Sequence, residues 1–163
     1  MLELRKTGDF YIKVPLLDNE PTLREGISFF YVQEIVSDKI INESIELFNS
    51  EHYWDKMWTL EDAKERFKKG HVFSYITDKD GVLGYMWHEK NYTYNFFVSK
   101  RRHNRDILNF VDMNRYHQKL KGFQYEYIYV TGTNLHVLNL FIRKFQGTVI
   151  EEKQLLQEVD IIF

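Results

Sequence analysis

The stretch from Tyr92 to Val130 constrains the fold more than any other part of this 163-residue chain. Apolar residues recur every three or four positions from Ile107 to Leu120, which predicts a helix that ends at Gly122. Aromatic and β-branched runs flank it at Tyr92–Val98 and Tyr125–Val130 and predict strands. A strand, a long helix and a strand in succession form a βαβ unit. The two strands should therefore be parallel and joined by a right-handed crossover.

The chain before this unit predicts a strand, two helices and two further strands. The predicted elements are a strand over Ile27–Val36, a helix that begins after Ser37, a helix over Leu60–Lys69, and two strands over His71–Thr77 and Val82–His88. Thr59, with Asp62 three residues later, fits a capping box at the start of the second helix. The last two strands are separated by a turn that ends in Asp80-Gly81, and this dipeptide favours a tight antiparallel hairpin.

After the βαβ unit, the sequence predicts one more helix and two closing strands. The helix covers Leu135–Phe145 with Asn134 as its N-cap, and the strands cover Thr148–Leu155 and Leu156–Phe163. Residues 1–26 carry no clear pattern. We expect a single α/β (α+β) domain over residues 1–163, with a mixed central sheet of about six to seven strands flanked by about four helices.

Composition excludes several kinds of site. The chain has no cysteine, so it cannot form a disulfide framework, a zinc thiolate site or an iron–sulfur cluster. Its six histidines lie at least fourteen residues apart, so no pair has the spacing of a metal site on one helix. No signal-peptide pattern and no run of about 18 apolar residues occurs. We therefore expect a cytoplasmic protein with no metal and no membrane partner.

Positive charge is concentrated between the strand Tyr92–Val98 and the long helix. Four of the six residues from Lys100 to Arg105 are permanently basic. Free N–H groups and the helix dipole favour an anion at a helix N-terminus, and arginine matches phosphate oxygens with paired hydrogen bonds. A solvated charged surface explains the same run equally well. This segment alone leaves both interpretations open.

The order of the predicted elements from Ile27 to Phe163 resembles the GNAT-type acyltransferase fold. Two stretches carry the resemblance. Asn95–Val98, followed by the basic turn, is similar to the family's central strand and pyrophosphate loop. Asn134–Phe145 is similar to its second signature, in which an asparagine opens a helix and an aromatic residue, here Phe141, follows seven residues later.

The resemblance implies a cleft between the two parallel strands that binds acyl-CoA, with acetyl-CoA as the expected co-substrate. The pantetheine arm would pair with the backbone of Phe97 and Val98, and the pyrophosphate would lie on the amides of Arg102 to Asp106. The implied cofactor-binding residues are Phe97, Val98, Arg101, Arg102, His103, Asn104, Arg105, Asp106, Asn134 and Phe141. In the family an amine attacks the thioester, a carboxylate or water takes its proton, and a tyrosine protonates the departing thiolate.

Two positions depart from the family's pattern. The loop has no glycine, because Arg102 leads to Arg105 and Ile107, so either side chains block the phosphates or guanidinium groups replace the amide contacts. Phe141 stands where the family has its tyrosine, and a phenylalanine cannot donate a proton. The sequence is therefore compatible with a rebuilt acyltransferase site or with a fold that has changed its function.

A few residues are candidates for catalysis and acceptor binding. His88 and Glu89 end the strand that enters the expected cleft and could act as general bases, and Tyr129 or Tyr127 could replace the missing acid. An exposed hairpin pair and core tyrosines are the structural alternatives. The aromatic cluster His52, Tyr53, Trp54 and Trp58 could wall the acceptor pocket, although such clusters are usually core.

Our first hypothesis is an acyl-CoA-dependent N-acyltransferase that transfers a group, expected to be acetyl, to a small-molecule or peptide amine. The alternative is a catalytically inactive GNAT-like binding or interaction domain. A third hypothesis, single-stranded nucleic acid binding through the basic turn, fits poorly with a formal charge of −2. The sequence leaves the acceptor unnamed and a homodimer open.

Overall fold

A computed structural model describes residues 9–34, 37–51, 58–131 and 135–159 of the chain. These residues form seven strands and five helices. In chain order they are β1 Asp9–Pro15, β2 Ser28–Val32, α1 Asp38–Glu51, α2 Leu60–Lys68, β3 Val72–Asp78, β4 Gly81–Glu89, β5 Tyr92–Val98, α3 Asn104–Leu120, β6 Tyr125–Thr131, α4 Leu135–Lys144, β7 Thr148–Ile150 and α5 Glu152–Glu158. The predicted mixed sheet flanked by helices is confirmed.

All seven strands belong to one sheet, in the order β2-β3-β4-β5-β6-β1-β7. β2 to β5 form an antiparallel run, and β3 and β4 make the predicted hairpin around Gly81. β5 and β6 are parallel, as the βαβ unit predicts. The predicted capping box is also present, because Thr59 and Asp62 exchange hydrogen bonds at the start of α2.

The two parallel strands separate soon after they meet. β5 pairs with β6 only at Tyr92, opposite Tyr127, and at Thr93, opposite Ile128. Just beyond, Asn95 has a φ of 51° and the register of β5 against β4 shifts, so β5 carries a bulge at this point. The result is a fork in the middle of the sheet, with the rest of β5 on one side and the rest of β6 on the other.

The N-terminal strand fills a position inside the sheet. β1 lies between β6 and β7 and pairs antiparallel with both. Its alternate residues Phe10, Ile12 and Val14 are fully buried, as a half-buried strand requires. Residues 9–15 of the segment that showed no clear pattern in the sequence are therefore part of the core.

The prediction of two closing strands at the C-terminus is only partly right. Thr148–Ile150 forms a short strand, but residues 152–158 form the helix α5 rather than strand. Leu155 of that helix is fully buried, which anchors one face of α5. The interior sheet position is occupied by β1 instead. Residues 160–163 of the second predicted closing strand lie outside the described residues. So do residues 35 and 36, at the end of the predicted strand Ile27–Val36.

The core lies on both faces of the sheet. One cluster, which includes Phe110, Val111, Leu138 and Phe141, packs between the sheet and helices α3 and α4. The other is rich in aromatic rings and packs against α1 and α2; it includes Ile41, Ala63, Phe73, Tyr85 and Trp87. Among the described residues, no helix combines the length and apolar character needed to cross a bilayer.

Candidate active site at the fork of the sheet

A cavity of about 440 Å³ opens where β5 and β6 separate. Its walls come from the end of β4, the bulged part of β5, β6, and the end of α2 with the residues after it. The lining residues are Glu65, Arg66, Lys69, His71, Glu89, Tyr92, Tyr94, Asn95 and Tyr129. This volume is typical of a pocket for a small molecule. A larger depression of about 560 Å³ runs along α2 beside Gln33 and Glu34, away from the fork.

Three polar side chains in the cavity form a connected group. The Nδ1 atom of His71 lies 2.5 Å from the hydroxyl of Tyr94, and its Nε2 atom lies 3.8 Å from a carboxylate oxygen of Glu89. A neutral imidazole has one donor and one acceptor nitrogen. If the Tyr94 hydroxyl donates to Nδ1, the N–H is on Nε2, the nitrogen on the side of the Glu89 carboxylate, which lies just beyond hydrogen-bond distance.

Burial sets the charges of this group. Desolvation lowers the pKa of His71, outweighing the nearby Glu89 carboxylate, which favours the charged imidazolium. The imidazole is therefore neutral at pH 7 and can accept a proton. Burial also raises the pKa of Tyr94, so its hydroxyl keeps its proton. The Glu89 side chain remains about a quarter exposed, which leaves it accessible from the cavity.

The fork brings together two of the three predicted catalytic residues. Glu89 and Tyr129 line the same cavity from β4 and β6. His71, Tyr94 and Arg66 also line it, and the sequence analysis did not select them. His71 directly follows Gly70, which has a positive φ and ends the α2 segment. A glycine stop followed by an apolar run could have marked His71 as a residue at the entrance to a strand. Nothing local to the sequence indicates that Tyr94 would lie against it.

His88 lies on the other face of the sheet from Glu89, because neighbouring residues on a strand point to opposite faces. Its side chain is fully buried and hydrogen-bonds Thr93, Asn114 and, at 3.1 Å, Ser74. Burial lowers the pKa of His88 to about 3. His88 is therefore a neutral core residue in this structure, rather than an exposed member of a hairpin pair.

The network around His88 also holds a buried carboxyl group. Thr93 donates a hydrogen bond to Glu126, which is fully buried on β6, and Gln118 Nε2 lies 3.2 Å from His88 Nδ1. Burial raises the pKa of Glu126 to about 7. This network joins β4, β5 and β6 to α3 just below the fork and fixes the point at which the two parallel strands separate.

The basic loop after β5 uses most of its backbone amides internally. The N–H of Lys100 and the hydroxyl of Ser99 both donate to the carboxylate of Glu51, at 2.7 and 2.6 Å. The N–H of Arg102 donates to the Ser99 carbonyl at 3.2 Å. The N–H of Arg105 donates to the His103 ring at 3.2 Å. Of the amides from Arg102 to Asp106 on which the pyrophosphate was predicted to lie, all but that of Asn104 therefore already have a partner within the chain.

A carboxylate also occupies the start of α3. Asp106 accepts the His103 N–H at 3.1 Å and completes a capping box with that residue. Arg24 donates two hydrogen bonds to the same carboxylate, at 3.0 and 2.9 Å. Burial alone would raise the pKa of Asp106, but these hydrogen bonds outweigh it and hold the pKa below its ordinary value. Asp106 is thus a buried anion rather than a contact available to a phosphate.

The loop arginines differ in how far they are engaged. Arg101 forms an ion pair with Asp78 at 3.0 Å and donates to the Val82 carbonyl at 2.9 Å, which ties the loop to the β3–β4 hairpin. Arg102 donates to the Ser99 carbonyl at 3.1 Å. Asn104 and Arg105 are exposed at the first turn of α3. Of the three arginines predicted to contact phosphate, Arg105 is the one whose guanidinium forms no hydrogen bond or ion pair with the described residues.

The remaining predicted residues lie in different parts of the chain. Phe97 and Val98 lie on β5 beyond its last pairing with β6, so their backbone borders the fork as expected. Phe141 is fully buried between Phe96 and Phe145, in the core under α4. Tyr127 donates its hydroxyl to Glu158 at 3.0 Å. Asn134 and the aromatic residues 52–54 lie outside the described residues, whereas Trp58 is buried against Phe73 and Trp87.

No protein-family model matches the chain, and a search of the curated proteins finds no match. Over the described ranges, no group of three or more acidic or histidine side chains is arranged to hold a metal ion.

Solved structures with the same fold do match. A GCN5-related N-acetyltransferase from Sphaerobacter thermophilus superposes with a TM-score of 0.61 over 91% of this chain and 52% of its own, at 14% identity. An aminoglycoside acetyltransferase from an uncultured soil metagenomic sample gives 0.60 over 85% of this chain and 95% of its own, at 14% identity. The L-PGS of Bacillus licheniformis gives 0.54 over 78% and 50%, at 13% identity.

Several of these neighbours are much longer than this chain. The chain spans 48%, 62% and 50% of three of them: a Drosophila protein, a functionally unknown Staphylococcus epidermidis protein and the Bacillus protein. At identities of 9 to 14%, the likeness concerns the fold. The mixed seven-stranded sheet flanked by helices is a GNAT-like fold, which the two acetyltransferases share.

Proposed function

We propose that the protein is an acyl-CoA-dependent N-acyltransferase whose acceptor amine binds in the cavity at the fork. The observation that supports this most strongly is the coincidence of two features. β5 and β6 part after two paired residues, and the cavity at that point contains the His71–Tyr94–Glu89 group. Acetyl-CoA is the expected co-substrate, because two structural neighbours are acetyltransferases. It would supply the activated thioester carbonyl.

The chain's own residues then have defined tasks. An acceptor amine is an ammonium ion at neutral pH and must lose a proton before it can attack a carbonyl carbon. Glu89 accepts that proton, directly or through one water, beside the neutral imidazole of His71. The new C–N bond forms as the C–S bond breaks, and the departing thiolate takes up a proton. Tyr129, on the β6 side of the cavity, is the candidate donor.

The structure suits the pantetheine arm of CoA better than its pyrophosphate. The edge of β5 beyond Thr93 faces the fork, which suits the amides of a pantetheine arm. The loop before α3 suits a pyrophosphate less well, because Glu51 and Asp106 already accept its N–H groups. Side chains such as Arg105 would have to hold the phosphates.

This loop favours a second candidate function, a binding domain without acyl transfer. A bound pyrophosphate would meet two carboxylates where the resemblance to the GNAT pattern implies free amides, and like charges oppose binding. If that repulsion prevails, the cavity at the fork can bind an amine while no acyl donor is recruited.

Calorimetry with acetyl-CoA and free CoA, followed by an acetyl-transfer assay on a panel of amines, separates these functions. Binding with transfer supports the acyltransferase, and binding of amines alone supports the second candidate. At a ligand concentration about 100 times the Kd, linkage adds about 2.7 kcal/mol and raises the Tm by a few degrees. The absence of any Tm shift with millimolar acetyl-CoA would contradict the acyltransferase.

A further inference from the structure

The guanidinium group of Arg66 lies in the wall of the fork cavity, surrounded by aromatic rings. Its central carbon is 5.0 Å from the ring centroid of Trp87, 5.1 Å from that of Tyr94 and 5.6 Å from that of Trp58. The rings hold the cation by cation–π attraction and restrict its rotamers. The carbonyl of Arg66 also accepts the His71 N–H at 3.0 Å, so the two cavity residues are fixed to each other.

Arg66 forms no ion pair with a carboxylate in the described part of the chain, although Asp62, one turn earlier on α2, attracts its guanidinium electrostatically. No carboxylate oxygen of the described residues lies within 4 Å of its nitrogens. Its Nη1 atom is buried and has no hydrogen-bond partner. The neighbouring Glu65, on the same helix, pairs with Lys69 at 3.8 Å instead. A guanidinium that is partly removed from water and lacks a carboxylate costs free energy, which an incoming anion would recover.

The lining of the cavity therefore includes both a cation and an accessible carboxylate. Arg66 provides the positive charge and Glu89 the negative charge, with His71 in contact with both residues. We propose that Arg66 binds the carboxylate of the acceptor, so that the acceptor is an amino acid or another amine that carries a carboxylate. The identity of this ligand as the acceptor rests on the function proposed above.

Arginine suits this task because its planar guanidinium group can donate two parallel hydrogen bonds to one carboxylate. The same chemistry could hold a carboxylate on the acyl group, as in a succinyl donor. The geometry favours the acceptor, because Arg66 and Glu89 line one cavity and a zwitterion satisfies both charges at once.

The test is calorimetry on the full chain without any acyl donor. The ligands are L-phenylalanine, L-leucine and L-lysine, each compared with its carboxamide. We expect each amino acid to bind roughly 10- to 100-fold more tightly than its amide, the range for a hydrogen-bonded charge. In Arg66→Met, which keeps an apolar side chain among the rings, this preference should disappear. Lys68→Met removes one positive charge from an exposed position of the same helix and should keep it.

Arg66→Lys retains the positive charge without the planar guanidinium group and should keep only part of the preference for the carboxylate. This variant and the parent measurement decide the question even if Arg66→Met fails to fold. Equal binding of amino acids and amides by the parent would overturn the proposal. So would an unchanged preference in a folded Arg66→Met variant.

A transfer assay separates this inference from the proposed function and from the acyl-group alternative. If amines are acetylated without regard to a carboxylate, the inference fails while the acyltransferase stands. If amino acids bind through Arg66 but are never acylated, the inference stands and the acyltransferase fails. If Arg66→Met slows transfer from succinyl-CoA but not from acetyl-CoA, Arg66 binds the acyl group and the acceptor assignment is wrong.

Discussion

The Nε2 atom of His71 lies 3.8 Å from the carboxylate of Glu89, in the cavity where β5 and β6 separate. The two residues lie at neighbouring strand ends: His71 immediately precedes β3, and Glu89 is the last residue of β4. Their approach depends on the hairpin register, in which Val72 lies opposite His88. The hairpin thus places a neutral imidazole beside an accessible carboxylate. Tyr94, on β5, contacts the imidazole from the other side.

If guanidinium groups replace backbone amides in the loop before α3, Arg105→Ala should weaken CoA binding by roughly 1.5–3 kcal/mol. Fold stability should barely change, because Arg105 is exposed. Calorimetry on the variant measures this, and dephospho-CoA should be weakened equally, because it retains the pyrophosphate. Lys79→Ala, on the exposed hairpin turn, is the matched control. Arg102→Ala should act in the same direction. Unchanged affinity in both arginine variants would refute the side-chain explanation.

Asp106→Asn should destabilise the fold by about 1–3 kcal/mol at pH 7, because it weakens the helix cap and the bidentate contact with Arg24. The folded pKa of Asp106 lies below its ordinary value, so its contribution is present above pH 4 or so and is lost as the pH falls through the folded pKa. Urea unfolding at pH 7 and at about pH 3 measures the difference. Glu61→Gln, at an exposed position of α2, is the control; an equal loss at both pH values would contradict the assignment.

Phe141→Tyr should destabilise the protein by about 1–3 kcal/mol, because the new hydroxyl would enter a fully buried site between Phe96 and Phe145. The acyl-transfer rate of the folded variant should not rise, since this ring does not line the cavity at the fork. Thermal melts and single-turnover rates measure the two effects. A stable variant with faster transfer would instead return position 141 to the active site.

The buried pair His88 and Glu126 should give the protein two opposed pH dependences. The folded pKa of Glu126 is raised from 4.5 to about 7, so its contribution to stability falls as the pH rises through that window. The folded pKa of His88 is lowered from 6.5 to about 3, so its contribution falls as the pH drops through that window. Between about pH 4.5 and 6.5 the two effects oppose each other.

Single substitutions should expose each effect. Relative to the parent, Glu126→Gln should lose stability as the pH falls from 6.5 to 4.5, whereas His88→Gln should gain it. Each slope should approach 1.4 kcal/mol per pH unit. Denaturant unfolding of both variants across this range is the measurement. Variants whose stability follows the parent at every pH would show that neither group titrates as described.

The sequence predicted those parts of the fold that depend on local pattern. The βαβ unit, the β3–β4 hairpin and the capping box of α2 are all present. β1 was missed although Phe10, Ile12 and Val14 alternate as a strand should, because its partners on β6 are more than a hundred residues away. The helix Glu152–Glu158 was taken for strand, because a short amphipathic segment with one buried leucine gives no clear helical period.

The candidate site was accessible to sequence reasoning only in part. Glu89 was selected because it ends the strand that enters the expected cleft, and Tyr129 because it lies on the neighbouring strand and could replace the missing acid. Both line the cavity. His71 and Arg66 were missed, since their position depends on how the end of α2 packs against β4 and β5. The pyrophosphate was predicted to lie on the amides of Arg102 to Asp106, yet Asp106 itself accepts the His103 N–H. Glu51, on a helix about fifty residues earlier, accepts the Lys100 N–H just before them, which no local pattern indicates.

The most direct test of the proposed function is transfer of a labelled acetyl group from acetyl-CoA to an amine panel by the parent and by Glu89→Gln. We predict that the parent acetylates at least one amine and that Glu89→Gln, with an unchanged Tm, is about 10²- to 10⁴-fold slower. Glu61→Gln provides the control for the loss of a carboxylate elsewhere on the surface. Equal rates for the parent and Glu89→Gln, or no transfer by the parent to any amine, would contradict acyl transfer at the fork.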